Sequence, residues 1–268
     1  MTYSVKAPAK INFALDVLGK RPDGYHDVAM IMQTIALYDT INVNIGGNGI
    51  KLTSDSSAIP TDETNIAYRA AHYLSKKYNI NVGVHIHIEK RIPVAAGLAG
   101  GSTDAAAVFK LLNKAWDLGL SKEELRSAGE KLGADVPFCI QGGTCLAEGL
   151  GEKLTIIDTI PNCYIVLAKP SVQVSTKEVY QSLKLDEIIE RPDIPAMLQG
   201  IKEQNLKEIC SKMGNVLETV TTKLHPIIPE LKQKLMEFGA MGSLMSGSGP
   251  TVFGIFENMS SAQAAYNN

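Results

Sequence analysis

In the stretch KINFALDVLG, Ile11, Phe13, Leu15 and Val17 fall on one side of the chain and Lys10 and Asn12 on the other. A period of two is that of a half-buried strand, and the following RPDGYHD supplies proline and Asp-Gly turn chemistry. On this pattern alone Lys10 reads as a solvated strand-face residue. VAMIMQTIALYDTINVNIGG resumes strand character, with methionines that leave part of it open to helix. Alternation returns in VGVHIHIEKRI, so His85 and His87 read as exposed strand-face residues with water for partners rather than as metal ligands. Helical spacing appears after Asn65, an N-cap residue type, where Ile66, Ala70, Tyr73, Leu74 and Tyr78 form a stripe. It recurs in DAAAVFKLLNKAW and in SKEELRSAGEKLG, where Ser121 and Glu124 have the spacing of a capping box. PFCIQGGTCLAEG and CYIVLAKP read as buried strands. Beyond residue 171 the pattern becomes helices broken by prolines: STKEVYQSL (a second capping box, Ser175 and Glu178), PAMLQGIKEQNLKEICSKM, NVLETVTTKLH and PELKQKLMEFG. The last strand is TVFGIF, and SSAQAAY opens a helix. The pattern is mixed helix and strand, with a change of texture between residues 150 and 172.

Between an alternating run and an apolar helical run lies IPVAAGLAGGSTDAAAV, with very little side chain. Glycine and alanine at such a junction let backbone N–H groups and a helix N-terminus converge on an anion. Pro93, Val94, Ala95, Ala96, Gly97, Leu98, Ala99, Gly100, Gly101, Ser102 and Thr103 are therefore a candidate phosphate loop. Ser102 or Thr103 is the expected helix cap, and Asp104 suits the positive end of the dipole. Two familiar loops are excluded: no lysine lies between Arg91 and Lys110 for G-x-x-x-x-G-K-[ST], and Gly97-Leu98-Ala99 breaks G-x-G-x-x-G. A tight turn with close backbone packing explains the stretch equally well. A second small-residue stretch, GSLMSGSGPTVFGIF, carries Gly247 and Gly249.

Composition narrows the function classes. The 268 residues are 45% hydrophobic with a net charge of -2, which provides no basic field for nucleic acid. Cys139, Cys145, Cys163 and Cys210 show no C-x-x-C spacing and read as reduced core thiols, as in a cytosol. Lys6, Lys10, Asn12 and Asp16 interrupt the apolar stretch a signal peptide needs, and no later run reaches membrane-spanning length. The expectation is a soluble, cytoplasmic protein without nucleic-acid or membrane partners. His72 and His225 have no ligand-spaced companion.

Taken in order, PAKINFALDVLGKRPDGYH, PVAAGLAGGSTDAAA, LGADVPF and MSGSGPTVFGIF resemble the GHMP kinase superfamily, over nearly the whole chain. Within it they are similar to the branch whose acceptor carries a cytidine diphosphate group. The resemblance implies an α+β two-domain fold. Residues 1–160 would form a ribosomal-protein-like N-terminal domain with a left-handed βαβ crossover, and residues 161–268 a ferredoxin-like C-terminal domain, with the site in the cleft between them. It implies ATP as phosphoryl donor with Mg2+, and a monomer or weak homodimer. Asp135 would take the acceptor's hydroxyl proton, and Lys10 would hold that hydroxyl and orient the base. Asn65 would border adenine. Tyr25 and Tyr180 would sandwich the cytosine, His26 and Asn12 would hydrogen-bond the acceptor, and Gly247 and Gly249 would line the phosphate region. The metal ligands stay unassigned, with Ser102 and Thr103 the nearest hydroxyls.

Ala99 stands where many members have glycine, so residue 99 is expected in an ordinary backbone region. The family also continues through a final helix and strand that SSAQAAYNN does not complete. Homoserine, mevalonate or sugar acceptors remain open, as does a non-catalytic nucleotide-binding regulator. Tyr25, His26 and Tyr180 favour the cytidine-bearing acceptor, while Lys10 and Asp135 argue against the regulator.

Overall fold

The computed structural model describes residues 2–268. The chain divides into two compact units, and two long strands, β1 (Thr2–Lys20) and β2 (His26–Ile45), contribute residues to both.

One unit takes the residues up to Lys10, Thr34–Val94 and Ala99–Gly142. Here β3 (Ile50–Ser54) runs parallel to β4 (Val84–Glu89), and β4 pairs antiparallel with β2 from Thr40 to Ile45. The parallel pair is joined by α1 (Ile66–Lys77), which starts where the Asn65 side chain accepts the Ala67 N–H at 2.9 Å. Ala67, Ala70, Ala71 and Leu74 form its buried face, and the Tyr73 ring meets Phe109 of α2 (Gly100–Ala115) edge-on at 6.2 Å. In α3 (Lys122–Glu130) both bonds of the Ser121–Glu124 capping box are formed. PFCIQ, expected as strand, is instead helix α4 (Val136–Gln141). Pro137 sits in its first turn, where a missing N–H costs nothing, and Gly142 at φ 70° ends it. His85 and His87 do not face water alone. The parallel register places Thr53 beside both, its Oγ 2.8 Å from His85 Nε2 and 2.9 Å from His87 Nδ1.

The other unit takes Ile11–Gln33, Ala95–Leu98 and Gly143–Asn268. Val28–Gln33 of β2 pairs antiparallel with β5 (Thr144–Gly149), which pairs in turn with β6 (Lys153–Ile156). Ala14 and Leu15 of β1 lie parallel to the two-residue strand β8 (Gly214–Asn215). A separate antiparallel sheet has the order β7 (Tyr164–Ala168), β10 (Val252–Phe256), β9 (Gly242–Met245). Around these lie α5 (Thr176–Ser182), α6 (Ile194–Lys202), α7 (Leu206–Ser211), α8 (Glu218–Leu224), α9 (Ile227–Glu237) and α10 (Met259–Asn267). The helix expected across NVLETVTTKLH begins only at Glu218, because Asn215 belongs to a strand and spends its side chain on neighbouring backbone. Every residue of β10 is buried, and Phe253 packs on Phe13 at 5.9 Å. From Ala9 to Val17 β1 is buried on both faces, which overturns the reading of Lys10 as solvated: it is 4% exposed, and Asn12 is fully buried. Among the described residues no helix is long and apolar enough to cross a membrane.

Candidate active site

The small-residue stretch is a loop that enters α2 at Gly100. Ala95, Gly97 and Ala99 have φ of 51°, 72° and 56°, while the residues between them stay at negative φ. Alternation of this kind is the backbone pattern from which anion-binding nests are built. The N–H groups of Gly100, Gly101 and Ser102 open α2 and have no acceptor within the helix. Together with the positive end of the helix dipole these features fit a phosphate.

Two expectations fail in this loop. Ala99 is not in an ordinary region but left-handed, at φ 56° and ψ 31°, as the N-cap of α2. Its carbonyl accepts the Thr103 N–H at 2.9 Å, so residue 99 both turns the chain and starts the helix, at a cost of about 1–2 kcal/mol that the surrounding structure outweighs. Neither Ser102 nor Thr103 is the cap, because the helix starts before them. The Thr103 hydroxyl instead donates to the Pro8 carbonyl at 2.8 Å.

The stretches holding Gly97 and Gly247 meet. Ser246 Oγ donates to the Gly97 carbonyl at 2.9 Å, and a Cβ on Gly97 would lie 2.1 Å from the Ser246 carbonyl oxygen. Asn215 Nδ2 holds the second loop by donating to the carbonyls of Met245 at 2.8 Å and Gly247 at 2.7 Å. Gly247 and Gly249 adopt φ of 58° and 90°, and a Cβ on Gly249 would strike Met245 Sδ at 2.6 Å. Close backbone packing is thus one reason for the missing side chains.

Lys10 and Asp135, 125 positions apart in the chain, come together: Lys10 Nζ lies 3.7 Å from Asp135 Oδ2. The lysine side chain is 6% exposed and the aspartate 36%. Asp135 occupies the N-cap of α4 but makes no capping hydrogen bond, so its carboxylate is not consumed by the helix. The pair is a partly open carboxylate backed by a buried cation. Nearby burial pushes the Cys139 thiol up to about 12, which leaves it inert.

Sequence reasoning missed a second buried ionic group. Lys90 Nζ donates to Asp39 Oδ2 and, at 3.0 Å, to Asp104 Oδ2. Asp39 Oδ1 also accepts the N–H groups of Arg91 and Ile92. Asp104 is 2% exposed and lies among the alanines of α2, not at the dipole end where it was expected. Burial outweighs the attraction of Lys90 and raises the Asp104 carboxyl to about 8. The available signal was an acid immediately before the apolar run AAAVF, a place where a solvated side chain has no room.

The residues expected to hold the acceptor are partly assembled. The rings of His26 and Tyr180 face each other at 5.4 Å and 38°, and both line an open pocket of about 300 Å³ with Lys20, Leu183, Lys184 and Asp186. Burial, and secondarily Lys20, lowers the His26 pKa, so its imidazole is neutral at pH 7. Tyr25 is 65% exposed, and the ring against Tyr180 is that of His26. Asn12 is buried, with Nδ2 3.4 Å from Met30 Sδ. Asn65 uses both ends of its amide structurally, capping α1 and donating to the Pro60 carbonyl at 2.8 Å. Among the described residues no cluster of three or more His, Cys, Asp or Glu is arranged for a metal.

A small-residue loop opening a helix and a lysine-backed carboxylate are compatible with a phosphotransferase, and the family comparison agrees. Residues 65–143 match the GHMP kinases N terminal domain and residues 197–268 the GHMP kinases C terminal domain. The chain belongs to the GHMP kinases and is an ATP-dependent small-molecule kinase with the α+β fold of that family. It is 52% identical to the 4-diphosphocytidyl-2-C-methyl-D-erythritol kinase of Bacillus licheniformis, over 98% of this chain and 91% of that protein. It is 54% identical to the enzyme of the same name from Acetivibrio thermocellus, over 99% and 94%. A crystal structure of 4-(cytidine 5'-diphospho)-2C-methyl-D-erythritol kinase superposes with a TM-score of 0.85 at 32% identity, covering 98% of this chain and 93% of that one. A homoserine kinase from Cytophaga hutchinsonii, at TM-score 0.79 and 20% identity over 99% and 89%, shares the fold.

Proposed function

We propose that this kinase transfers the γ-phosphoryl group of ATP to the 2-hydroxyl of 4-diphosphocytidyl-2-C-methyl-D-erythritol in non-mevalonate isoprenoid synthesis, with Asp135 as general base. The observation that carries the assignment of roles is the Lys10–Asp135 pair, 3.7 Å apart. Asp135 accepts the hydroxyl proton as the oxygen attacks. Lys10 orients that carboxylate and neutralises charge on the arriving phosphoryl group. Base assistance is worth about 10²- to 10⁴-fold, and positioning by the loop provides much of the rest. The N–H groups of the Ala95–Ser102 nest hold the donor phosphates. Ser102 offers a hydroxyl in the first turn of α2 for Mg2+, whereas that of Thr103 is committed to Pro8. Bound beside the ATP phosphates, Mg2+ would supply neutralisation of their charge.

The acceptor assignment draws support from the named relatives and from the His26–Tyr180 pocket. Stacking supplies about 1–3 kcal/mol and tolerates any base, so selection of cytosine falls to hydrogen bonds at the neutral His26, with Asn12 and Tyr25 completing the acceptor contacts. On this reading Asn65 borders adenine through its surroundings, and Gly247 and Gly249 let backbone approach the phosphates. Residues 1–160 carry the loop and the catalytic pair, residues 161–268 form the C-terminal domain, and the protein works in the cytosol as a monomer or weak homodimer.

The test is ATP-dependent phosphorylation of 4-diphosphocytidyl-2-C-methyl-D-erythritol beside mevalonate and homoserine, for the native chain and Asp135→Asn. The expected result is turnover of the cytidyl acceptor alone, with kcat reduced about 10²- to 10⁴-fold in the variant and ATP affinity retained. Turnover of a different acceptor overturns the substrate, and a fully active variant overturns the role of Asp135.

A further inference from the structure

The Asp39–Lys90–Asp104 group is more than a buried ion pair, because of where its members sit on the chain. Asp39 Oδ1 takes the Arg91 N–H at 2.5 Å and the Ile92 N–H at 2.8 Å, which fixes the backbone as it enters the glycine loop. Asp104 lies in α2, just past the loop exit, and its Oδ2 takes Lys90 Nζ at 3.0 Å. Lys90 therefore ties the entrance of the loop to its exit. Gly100 packs directly on this tie: a Cβ there would lie 3.2 Å from Ile92 Cγ2 and 3.3 Å from Lys90 Nζ. Three observations separate the group from ordinary core. All three side chains are at most 6% exposed, one ammonium serves two carboxyl groups, and Asp104 Oδ1 has no hydrogen-bond partner among the described residues. A purely stabilising role is poorly served by such an arrangement, since buried charges incur desolvation that an apolar trio would avoid. Geometric precision is what it provides: hydrogen bonds from one anchored ammonium to two acidic side chains hold two backbone segments at fixed separation.

We propose that Asp104, acting through Lys90 and Asp39, is a positioning residue that sets the curvature of the phosphate loop and thereby the affinity for the ATP phosphates. The inference rests on the loop being the nucleotide-phosphate site, as proposed above. It does not depend on which acceptor is used. The left-handed conformations at Ala95 and Ala99 make the dependence physical. Alanine leaves that region at a gain of about 1–2 kcal/mol, so the nest relaxes unless both of its ends are held.

The test is ATP binding by calorimetry without acceptor, together with steady-state KM and kcat, on the full chain and its Asp104→Ala and Asp104→Asn variants. Asp104→Ala is expected to raise the Kd and KM for ATP about tenfold or more while the acceptor KM stays within about twofold. Asp104→Asn, which keeps an oxygen toward Lys90, is expected to restore ATP affinity to within about threefold. If Asp104→Ala is not recovered folded, Asp104→Ser, with a smaller void and a hydroxyl toward Lys90, is judged by the same measurements. A folded Ala or Ser variant with unchanged ATP affinity, or with ATP and acceptor KM raised equally, overturns the proposal. Failure of the acceptor assignment shows separately, as intact ATP binding with no transfer to the cytidyl substrate.

Discussion

Replacing Gly97 by alanine separates the two demands placed on that residue. The first is conformational: φ is 72°, and an L-residue held there costs about 1–2 kcal/mol, partly offset by about 0.4–1 kcal/mol from the stiffer unfolded chain. The second is steric, because the new Cβ would lie 2.1 Å from the Ser246 carbonyl oxygen and 3.1 Å from that of Gly249. Both neighbours are backbone and cannot rotate away. The clash must be relieved by moving one loop, at an overpacking cost of about 1–3 kcal/mol. Gly119 provides the control, since it has φ of 64° and nothing within 4 Å of the same Cβ. Gly119→Ala should therefore lose only the conformational part, about 0–1.5 kcal/mol. Gly97→Ala should be about 1–3 kcal/mol worse than the control, a substantial share of an ordinary 5–15 kcal/mol stability. Thermal unfolding of the two variants beside the native chain reads the difference as roughly 2–10 °C in Tm. Displacement of the loop should also weaken ATP binding about tenfold or more in Gly97→Ala and leave it unchanged in Gly119→Ala. Equal stability in the two variants would refute the claim that contact with Ser246, rather than backbone angle alone, requires glycine at 97.

Other outcomes follow from single features. Ser121→Ala removes the acceptor of the Glu124 N–H and should cost about 1 kcal/mol in denaturant unfolding, with no change in turnover. Cys139, Cys145 and Cys210 are buried and Cys163 is half-buried, so a thiol reagent at pH 8 should modify Cys163 ahead of the rest in the native protein and all four after denaturation. The Asp104 carboxyl, raised from 3.8 to about 8, binds a proton in the folded state across a range where the unfolded chain has lost it. Its stabilising contribution is therefore full below about pH 4 and is lost as pH rises toward 8, so Asp104→Asn should gain stability relative to the native chain between pH 5 and pH 8. A difference independent of pH in urea unfolding would contradict that assignment.

What the sequence by itself determined lies within a few residues along the chain. The capping box at Ser121 and Glu124, the Asn65 cap and the alternation of β4 all depend on short-range hydrogen bonds and on side-chain period, and all are present. The four ordered motifs likewise identified the kinase family, because they quote its chemistry directly. Tertiary structure decided the rest. Lys10 looks solvated in a two-residue alternation, yet β1 is covered on both faces. Residue 99 should have avoided the left-handed region on local energetics, but the need to join loop to helix overrides a preference of about 1–2 kcal/mol. His85 and His87 found Thr53 only through the register of a parallel strand some thirty positions earlier. The pairing of Lys10 with Asp135 and the tie from Asp39 through Lys90 to Asp104 are long-range contacts whose strength depends on burial. Charges in a low-dielectric interior interact over distances and directions that no local pattern encodes, and so the electrostatic part of the site became visible only once the chain was folded.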